Sequence, residues 1–205
     1  MSAEWHDASF SPLLIVIAGL SGAGKDSVIT ALKRRQHPFH FVITATDRPP
    51  RPHEMDGLDY IFVSTARFLE MIAQDELLEY AVVYGQHKGV PKAQVRQALA
   101  SGLDVVMRLD VQGAKTIRRL APEAILVFIT TASEEELVAR LQRRQTDSAE
   151  ALALRVATAR EELAQVDAFD YVIVNRQNEL ESAVDDVMSI IRAEHCRAVP
   201  RKVAL

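Results

Sequence analysis

At residues 19 to 27 the chain reads Gly19-Leu20-Ser21-Gly22-Ala23-Gly24-Lys25-Asp26-Ser27, directly after an apolar run from Leu13 to Ala18. The apolar run predicts a buried strand, and the glycine-rich stretch predicts a turn that opens a helix at Lys25. Successive backbone N–H groups in such a turn form a cradle for an anion, and the N-terminus of the helix adds partial positive charge. The stretch therefore predicts a phosphate-binding loop whose lysine reaches the outer phosphates of a nucleotide.

Asp26 departs from the usual form of such a loop, in which Ser or Thr follows the lysine and its hydroxyl binds magnesium. Two interpretations stay open. In one, the carboxylate only stabilises the start of the helix, where acidic residues are favoured. In the other, it binds Mg²⁺ directly or through water, because hard cations prefer carboxylate oxygens. Asp26 is accordingly a candidate metal-binding residue.

Length, composition and net charge narrow the classes of protein to which the chain can belong. The chain has 205 residues, of which 48% are hydrophobic, and this fits one α/β domain with a sizeable core. A formal net charge of −4 gives no sign of general nucleic-acid binding. The single cysteine, Cys196, indicates a reducing compartment, and the residues up to Ser11 lack a hydrophobic signal core. We therefore expect a cytoplasmic protein without nucleic-acid or membrane partners, and the sequence leaves its oligomeric state open.

Short apolar runs alternate with helical segments along the chain. After the first run, strands are predicted at Phe39–Ala45, Asp104–Leu109, Ala124–Thr130 and Tyr171–Val174. Nearly continuous apolar strands between helices are typical of a parallel sheet that is covered on both faces. The expected fold class is thus α/β, with three layers, a central parallel sheet and ligands bound at the carboxyl ends of its strands.

Two segments interrupt this alternation, and each is expected to form a small lobe on the central sheet. The first, about 46–92, opens with the run Asp47-Arg48-Pro49-Pro50-Arg51-Pro52, which cannot form a helix or an inner strand. The second, about 133–155, begins with a capping box of Ser133 and Glu136. Both lobes are expected to close over substrate. The expected core covers about 11–45, 93–132 and 156–197, with flexible tails at 1–10 and 198–205.

Several charged residues are candidates for substrate binding. Arg48 and Arg51 lie three apart in the proline-stiffened run, so two guanidinium groups can be held ready for one phosphate; an exposed basic turn is the alternative. Arg144 and Arg155 could neutralise a transferring phosphate, although composition alone favours two solvated helix faces.

Glu79 and Asp110 are acids in apolar surroundings, where a carboxylate usually has a partner. A carboxylate is also the natural acceptor for the N1–H and the exocyclic amine of guanine. The histidines, by contrast, show no metal-ligand spacing, and we expect them to have no metal role. Those considered are His37, His40, His53 and His87.

Several motifs occur together in an order that is typical of one family. They are the loop at 19–25, the run Thr44-Ala45-Thr46-Asp47-Arg48-Pro49-Pro50-Arg51-Pro52-His53-Glu54 with Gly57 and Tyr60, Leu77-Leu78-Glu79-Tyr80-Ala81, Asp110-Val111-Gln112-Gly113-Ala114, and Phe169 to Asn175. From about Leu13 to Arg197, the chain resembles a guanylate kinase.

The resemblance implies a P-loop NTPase fold and the Mg²⁺-assisted transfer of a phosphoryl group from ATP to GMP and dGMP. It implies that Lys25, Arg144 and Arg155 neutralise the γ-phosphate. It also implies two binding sets. The ATP set consists of residues 19–27 (Gly19, Leu20, Ser21, Gly22, Ala23, Gly24, Lys25, Asp26 and Ser27) and, on the adenine side, Asn175. The GMP set consists of Arg48, Arg51 and Tyr60 at the phosphate, Thr44 and Glu79 at guanine, and Lys88 and Asp110 nearby.

Three further positions depart from the commoner family pattern. Lys88, Val90 and Arg108 stand where many members have tyrosine, Ser or Thr, and aspartate. This combination is similar to the plant organellar type of guanylate kinase and its bacterial relatives. Because Val90 cannot donate a side-chain hydrogen bond, we expect base selectivity to depend mainly on Glu79.

Two other functions stay open. Ribose 1,5-bisphosphate phosphokinases resemble guanylate kinases and also carry G-K-D-S, but they need not bind a base, so the complete guanine-binding set argues against them. A non-catalytic guanylate-kinase-like binding module would lose the nucleotide loop, whereas Gly24 and Lys25 are present here.

Overall fold

The computed structural model describes residues 11–52, 54–83, 85–143 and 149–205. In chain order its elements are β1 (Leu14–Gly19), α1 (Lys25–Leu32), β2 (Phe39–Phe41), β3 (Ala45–Thr46), β4 (Ile61–Phe62), α2 (Thr65–Ala73), β5 (Leu77–Val83), β6 (Gln86–Pro91), α3 (Lys92–Ala100), β7 (Asp104–Arg108), α4 (Val111–Leu120), β8 (Ile125–Thr130), α5 (Glu134–Gln142), α6 (Ala149–Leu163), a 3₁₀ turn (Val166–Ala168), β9 (Tyr171–Val174) and α7 (Leu180–His195).

The larger sheet is parallel, with the strand order β2-β7-β1-β8-β9. Alternate residues of its central strand belong to two different apolar clusters. Leu14 and Val16 pack in the cluster that includes α3 and α4, whereas Ile15 and Ile17 pack in the cluster that includes α1 and α7. The sheet is therefore buried on both faces, and the expected three-layer α/β fold is confirmed.

The smaller sheet has the order β4-β3-β6-β5 and is covered by α2 through Phe68 and Met71. The prediction of one strand from Phe39 to Ala45 is wrong. Strand β2 ends at Phe41, and β3 begins at Ala45 in the other sheet. The chain leaves the larger sheet after Val42, whose backbone N–H still bonds to Val106, and the next N–H, of Ile43, donates to the side chain of Gln94 on α3.

The segment after residue 197, expected to be a flexible tail, packs on the protein. Arg201 donates to the buried carboxylate of Glu194 at 2.8 Å, and Val203 and Leu205 contact the cluster on the α3 and α4 side. Within the described parts of the chain, no helix has both the length and the apolar character needed to cross a membrane.

Candidate active site

The phosphate-binding loop lies at the carboxyl end of β1, and α1 begins at Lys25 as predicted. Gly24, at the N-cap, has φ 89°, a left-handed conformation that favours glycine. The Lys25 ammonium donates to the carbonyl oxygens of Gly19 and Leu20 at 2.7 and 2.9 Å. Burial lowers the pKa of Lys25. The ammonium thus lies folded over the loop, next to the space that a nucleotide phosphate would enter.

Two side chains support the loop from beneath. Asn175, just after β9, donates through Nδ2 to the carbonyl oxygen of Ala23 at 2.8 Å, and Arg140 on α5 donates to the same oxygen at 3.1 Å. A Cβ on Gly24 would lie 2.5 Å from the Asn175 amide nitrogen. Asn175 therefore holds the shape of the loop, and its contact with the adenine side of ATP stays a prediction.

Glu162 on α6 was not singled out by the sequence analysis. Its carboxylate accepts a hydrogen bond from the backbone N–H of Ser21 at 3.0 Å, and burial raises its pKa. It also lies close enough to Lys25 to oppose the lowering of that residue's pKa. A carboxylate thus contacts the loop where phosphate oxygens are expected to bind.

Asp26 lies in the first turn of α1 and does not cap it, because the N-cap is Gly24. Its carboxylate pairs with Arg108 at the end of β7, and the other Nη of Arg108 donates to the Tyr60 hydroxyl at 2.5 Å. The Arg108 guanidinium also lies over the Tyr60 ring, 5.1 Å from its centroid. Arg108 therefore connects the phosphate-loop helix with the smaller sheet.

Arg48 is buried and makes a bidentate ion pair with Glu54, in which Nη1 lies 2.6 Å from Oε2 and Nη2 lies 2.7 Å from Oε1. This pair lowers the pKa of Glu54 to about 2. The guanidinium lies over the Tyr60 ring, 4.7 Å from its centroid. The proline-rich run therefore holds Arg48 rigidly beside Tyr60, while the Arg51 side chain is exposed.

A cavity of about 260 Å³ lies beside α1 and the ends of β2 and β7, and loop residues that precede the strands of the smaller sheet complete its lining. The predicted residues in its lining are Asp26, Thr44, Arg51 and Tyr60, and Arg108 and Glu54 join them. Part of the phosphate loop's helix and part of the predicted GMP set thus face one space.

Glu79 lies on β5 and is only 5% exposed. Burial, with a contribution from Asp110, raises its pKa to about 8. A Cβ on Gly113 would lie 2.9 Å from Glu79 Oε2, so glycine at this position leaves room for the carboxylate. Asp110 caps α4 by accepting from the Gly113 N–H at 2.7 Å. Glu79 is therefore held at the start of α4, at the functional edge of the larger sheet.

Charged groups link this acidic pair to the phosphate loop. Asp110 acts on the pKa of Lys25, of Lys88 and of Glu79, so it lies within electrostatic reach of all three. Burial lowers the pKa of Lys88, and nearby Arg108 lowers it further. The structure thus gathers the predicted donor and acceptor residues around Asp110 and Arg108.

Two further arginines, Arg144 and Arg155, were predicted to be catalytic. Arg144 lies outside the described residues. Arg155 is half-buried on α6 and is not among the described residues that line the cavity. Val90 is fully buried among apolar side chains, which is consistent with the absence of a hydrogen-bonding role.

Comparison with known proteins agrees with this geometry. The profile of the family described as guanylate kinase matches residues 11–194. Guanylate kinase 2, chloroplastic/mitochondrial, of Oryza sativa subsp. japonica is 51% identical over 94% of this chain and 68% of its own length. The guanylate kinase of Lactobacillus johnsonii is 42% identical over 93% of each chain.

A solved structure supports the same relationship. The crystal structure of guanylate kinase from Anaplasma phagocytophilum is similar with a TM-score of 0.76 and 28% sequence identity, over 92% of this chain and 88% of that one. The family match at residues 11–194 includes the phosphate loop, the smaller sheet and the acidic pair described above. The chain belongs to the guanylate kinase family.

Proposed function

We propose that this protein phosphorylates GMP to GDP, with ATP as the phosphoryl donor. The observation that carries the proposal is the shared cavity, which is lined by Asp26 of the phosphate-loop helix and by Thr44 and Tyr60, the residues that directly precede β3 and β4 of the smaller sheet. In-line transfer needs the donor and acceptor phosphates in one enclosed space, lined by positive charge. Arg108 lines the cavity, and Lys25 and Lys88 each lie within electrostatic reach of Arg108.

The ATP phosphates bind the backbone N–H groups of the loop. The Lys25 ammonium then exchanges its hydrogen bonds to the carbonyl oxygens of Gly19 and Leu20 for hydrogen bonds to the outer phosphates. Glu162 then gives up the Ser21 N–H, because two anions cannot share one cradle without a strong repulsion. The Glu162 carboxylate therefore occupies the loop of the ligand-free protein, and the nucleotide has to displace it before the phosphates bind.

The acceptor binds on the other side of the cavity. Arg51, Tyr60 and Arg108 bind the GMP phosphate, and Arg48 holds the Tyr60 ring in place. Glu79 accepts from the N1–H and the amine of guanine, and the Thr44 side chain adds a further contact. Because none of these groups needs the ribose 2′-hydroxyl, we infer that dGMP is also a substrate.

Magnesium is implied by the family, and the residues present fit it. Asp26 offers a carboxylate in the first turn after Lys25, which would exchange its contact with Arg108 for the metal, and Asp110 offers one within electrostatic reach of that lysine. Hard cations prefer such oxygens. We infer that these two carboxylates hold Mg²⁺, which would neutralise charge on the transferring phosphate. We also infer a cytoplasmic location, since the single cysteine, Cys196, is free.

The function is tested by coupling ADP release from Mg·ATP to five acceptors at matched concentration: GMP, dGMP, AMP, UMP and ribose 1,5-bisphosphate. We expect turnover with GMP and dGMP and little with the others. Turnover only with the sugar bisphosphate would move the assignment to that phosphokinase. No turnover with any acceptor, from folded protein, would favour a binding module.

Replacing Arg108 with glutamine is expected to lower kcat/KM for GMP about a hundredfold, because a charged donor beside the acceptor phosphate is lost. KM for ATP should change much less. Steady-state kinetics at saturating ATP measures the effect. Arg119→Gln is the matched control, since Arg119 is exposed on α4 and bonds to Thr116. An unchanged kcat/KM for GMP in Arg108→Gln would exclude a contact between Arg108 and the GMP phosphate.

Replacing Asp26 with serine is expected to raise the Mg²⁺ concentration for half-maximal rate about tenfold, because a charged ligand becomes a neutral one. Mn²⁺ binding in the presence of ATP, followed by electron paramagnetic resonance, gives a readout that does not depend on turnover. Asp186→Asn, at an exposed position of α7, is the control. If metal binding and metal requirement stay as in the parent protein, Asp26 has no metal role and acts through the first turn of α1 and its ion pair with Arg108.

A further inference from the structure

Three side chains meet at the edge of the larger sheet opposite the active site. Asp104 is the first residue of β7, His37 lies just before β2, and His195 is the last residue of α7. Both imidazoles contact the same carboxylate oxygen: His37 Nε2 lies 2.9 Å from Asp104 Oδ2, and His195 Nε2 lies 2.8 Å from it. The cluster therefore joins three elements that are distant in sequence.

The three groups have the chemistry of a metal-binding set. One ligand atom from each lies within 4.8 Å of the other two. The Asp104 side chain is fully buried, and its Oδ1 is fixed by the Leu13 backbone N–H at 2.8 Å, so Oδ2 faces the histidines. Two imidazole nitrogens and one carboxylate oxygen are a common set for zinc. The carboxyl end of α7 adds partial negative charge, which favours a cation there.

We propose that His37, Asp104 and His195 bind one divalent transition-metal ion of the zinc class, with water as a fourth ligand. Tetrahedral zinc separates its nitrogen and oxygen ligands by about 3.3 Å, so each imidazole needs to move outward by about half an ångström. Both histidine side chains are partly exposed, at 23% and 17%, which leaves them room to move and gives the ion access. In this arrangement each imidazole binds the ion through Nε2 and carries its hydrogen on Nδ1.

The ion would fasten the end of α7 and the start of β2 to the start of β7. Because the cluster lies at the amino ends of the strands and the phosphate loop lies at their carboxyl ends, its effect is on stability. A ligand that binds only the folded chain raises its stability by mass action.

The experiment is calorimetric titration of Zn²⁺ into the full chain after removal of metal by a chelator. We expect one ion per chain, and at least about tenfold weaker binding in His37→Ala and in His195→Ala. Zn²⁺ should raise the melting temperature of the parent protein and not of these variants. Co²⁺ should give the intense visible absorption of a four-coordinate site in the parent alone.

Two variants serve as controls. His40→Ala removes an imidazole from β2 that lies outside the cluster, and Cys196→Ser removes the thiol next to His195. Both should bind Zn²⁺ as the parent does. Asp104→Asn does not distinguish a metal site from a hydrogen-bonded cluster, because the buried carboxylate with its three partners is needed for folding with or without the ion. No binding by the parent, or equal binding by His37→Ala and His195→Ala, would overturn the proposal and leave a hydrogen-bonded cluster.

Discussion

Replacing Lys25 with methionine is expected to lower kcat about a thousandfold while the protein stays folded. The Lys25 ammonium lies over the loop, and it can exchange its contacts with the oxygens of Gly19 and Leu20 for phosphate oxygens. Without it, the charge that develops on the transferring group would lose a directly adjacent positive partner. Methionine keeps the length of the side chain and removes only the charge and the donors.

The measurement is kcat at saturating ATP and GMP, with the melting temperature as the check on folding. Lys115→Met is the control, because Lys115 is exposed on α4 and lies outside the cavity. A loss below about tenfold in Lys25→Met would show that the loop cradles phosphate without a catalytic lysine.

Replacing Glu79 with glutamine is expected to lower kcat/KM for GMP about a thousandfold and to remove most of the preference for GMP over AMP. A carboxylate can accept from both donors of guanine, whereas the glutamine amide presents one acceptor and one donor. Glutamine also fits the space that Gly113 leaves, so a packing defect does not confuse the result. Glu70→Gln, at an exposed position of α2, is the control. If the preference for GMP survives, another group distinguishes the bases.

The pKa of Glu79, about 8 without ligand, adds a pH dependence. Only the ionised carboxylate accepts both hydrogen bonds, so GMP affinity rises as pH rises toward and through that pKa. Between pH 7 and 8.5 the ionised fraction, and with it the affinity, increases about eightfold. The GMP phosphate is already dianionic in this range, since its second pKa is about 6. The slope should vanish in Glu79→Gln.

The same pKa also affects folding. Because the folded chain without GMP holds this proton up to about pH 8, and the unfolded chain releases it near 4.5, stability falls as pH rises across that window. Glu79→Gln should therefore raise the melting temperature of the ligand-free protein at pH 8.5 and leave it almost unchanged at pH 4. An identical melting temperature at pH 8.5 would show that Glu79 is solvated in the free protein.

The sequence predicted well those features that depend on local pattern. The strand before the phosphate loop, the helix that begins at Lys25 and the strand Tyr171–Val174 follow from apolar runs and turn residues that are adjacent in the chain. The break after Phe41 could not be read in this way, because β3 pairs with β4 and β6 of the other sheet, and these partners are distant in the chain.

Site residues that belong to a sequence motif could be predicted. Contacts between residues that are distant in the sequence could not. Arg108 was noticed only as an unusual residue, since its partners Asp26 and Tyr60 lie on other elements. The support of the loop by Arg140 and its contact with Glu162 depend on how α5 and α6 pack. The histidines were set aside for lack of local spacing, although the fold brings His37 to His195.

The chain enters the smaller sheet between β2 and β3 and leaves it between β6 and α3. These two connections lie side by side, because β3 pairs with β6, with Ala45 opposite Gly89. We expect the smaller sheet to turn about the line through these two connections when it moves, because its other contacts with the core, such as that of Glu79 with Gly113, are non-covalent. The acceptor phosphate would then approach the donor along one path of rotation.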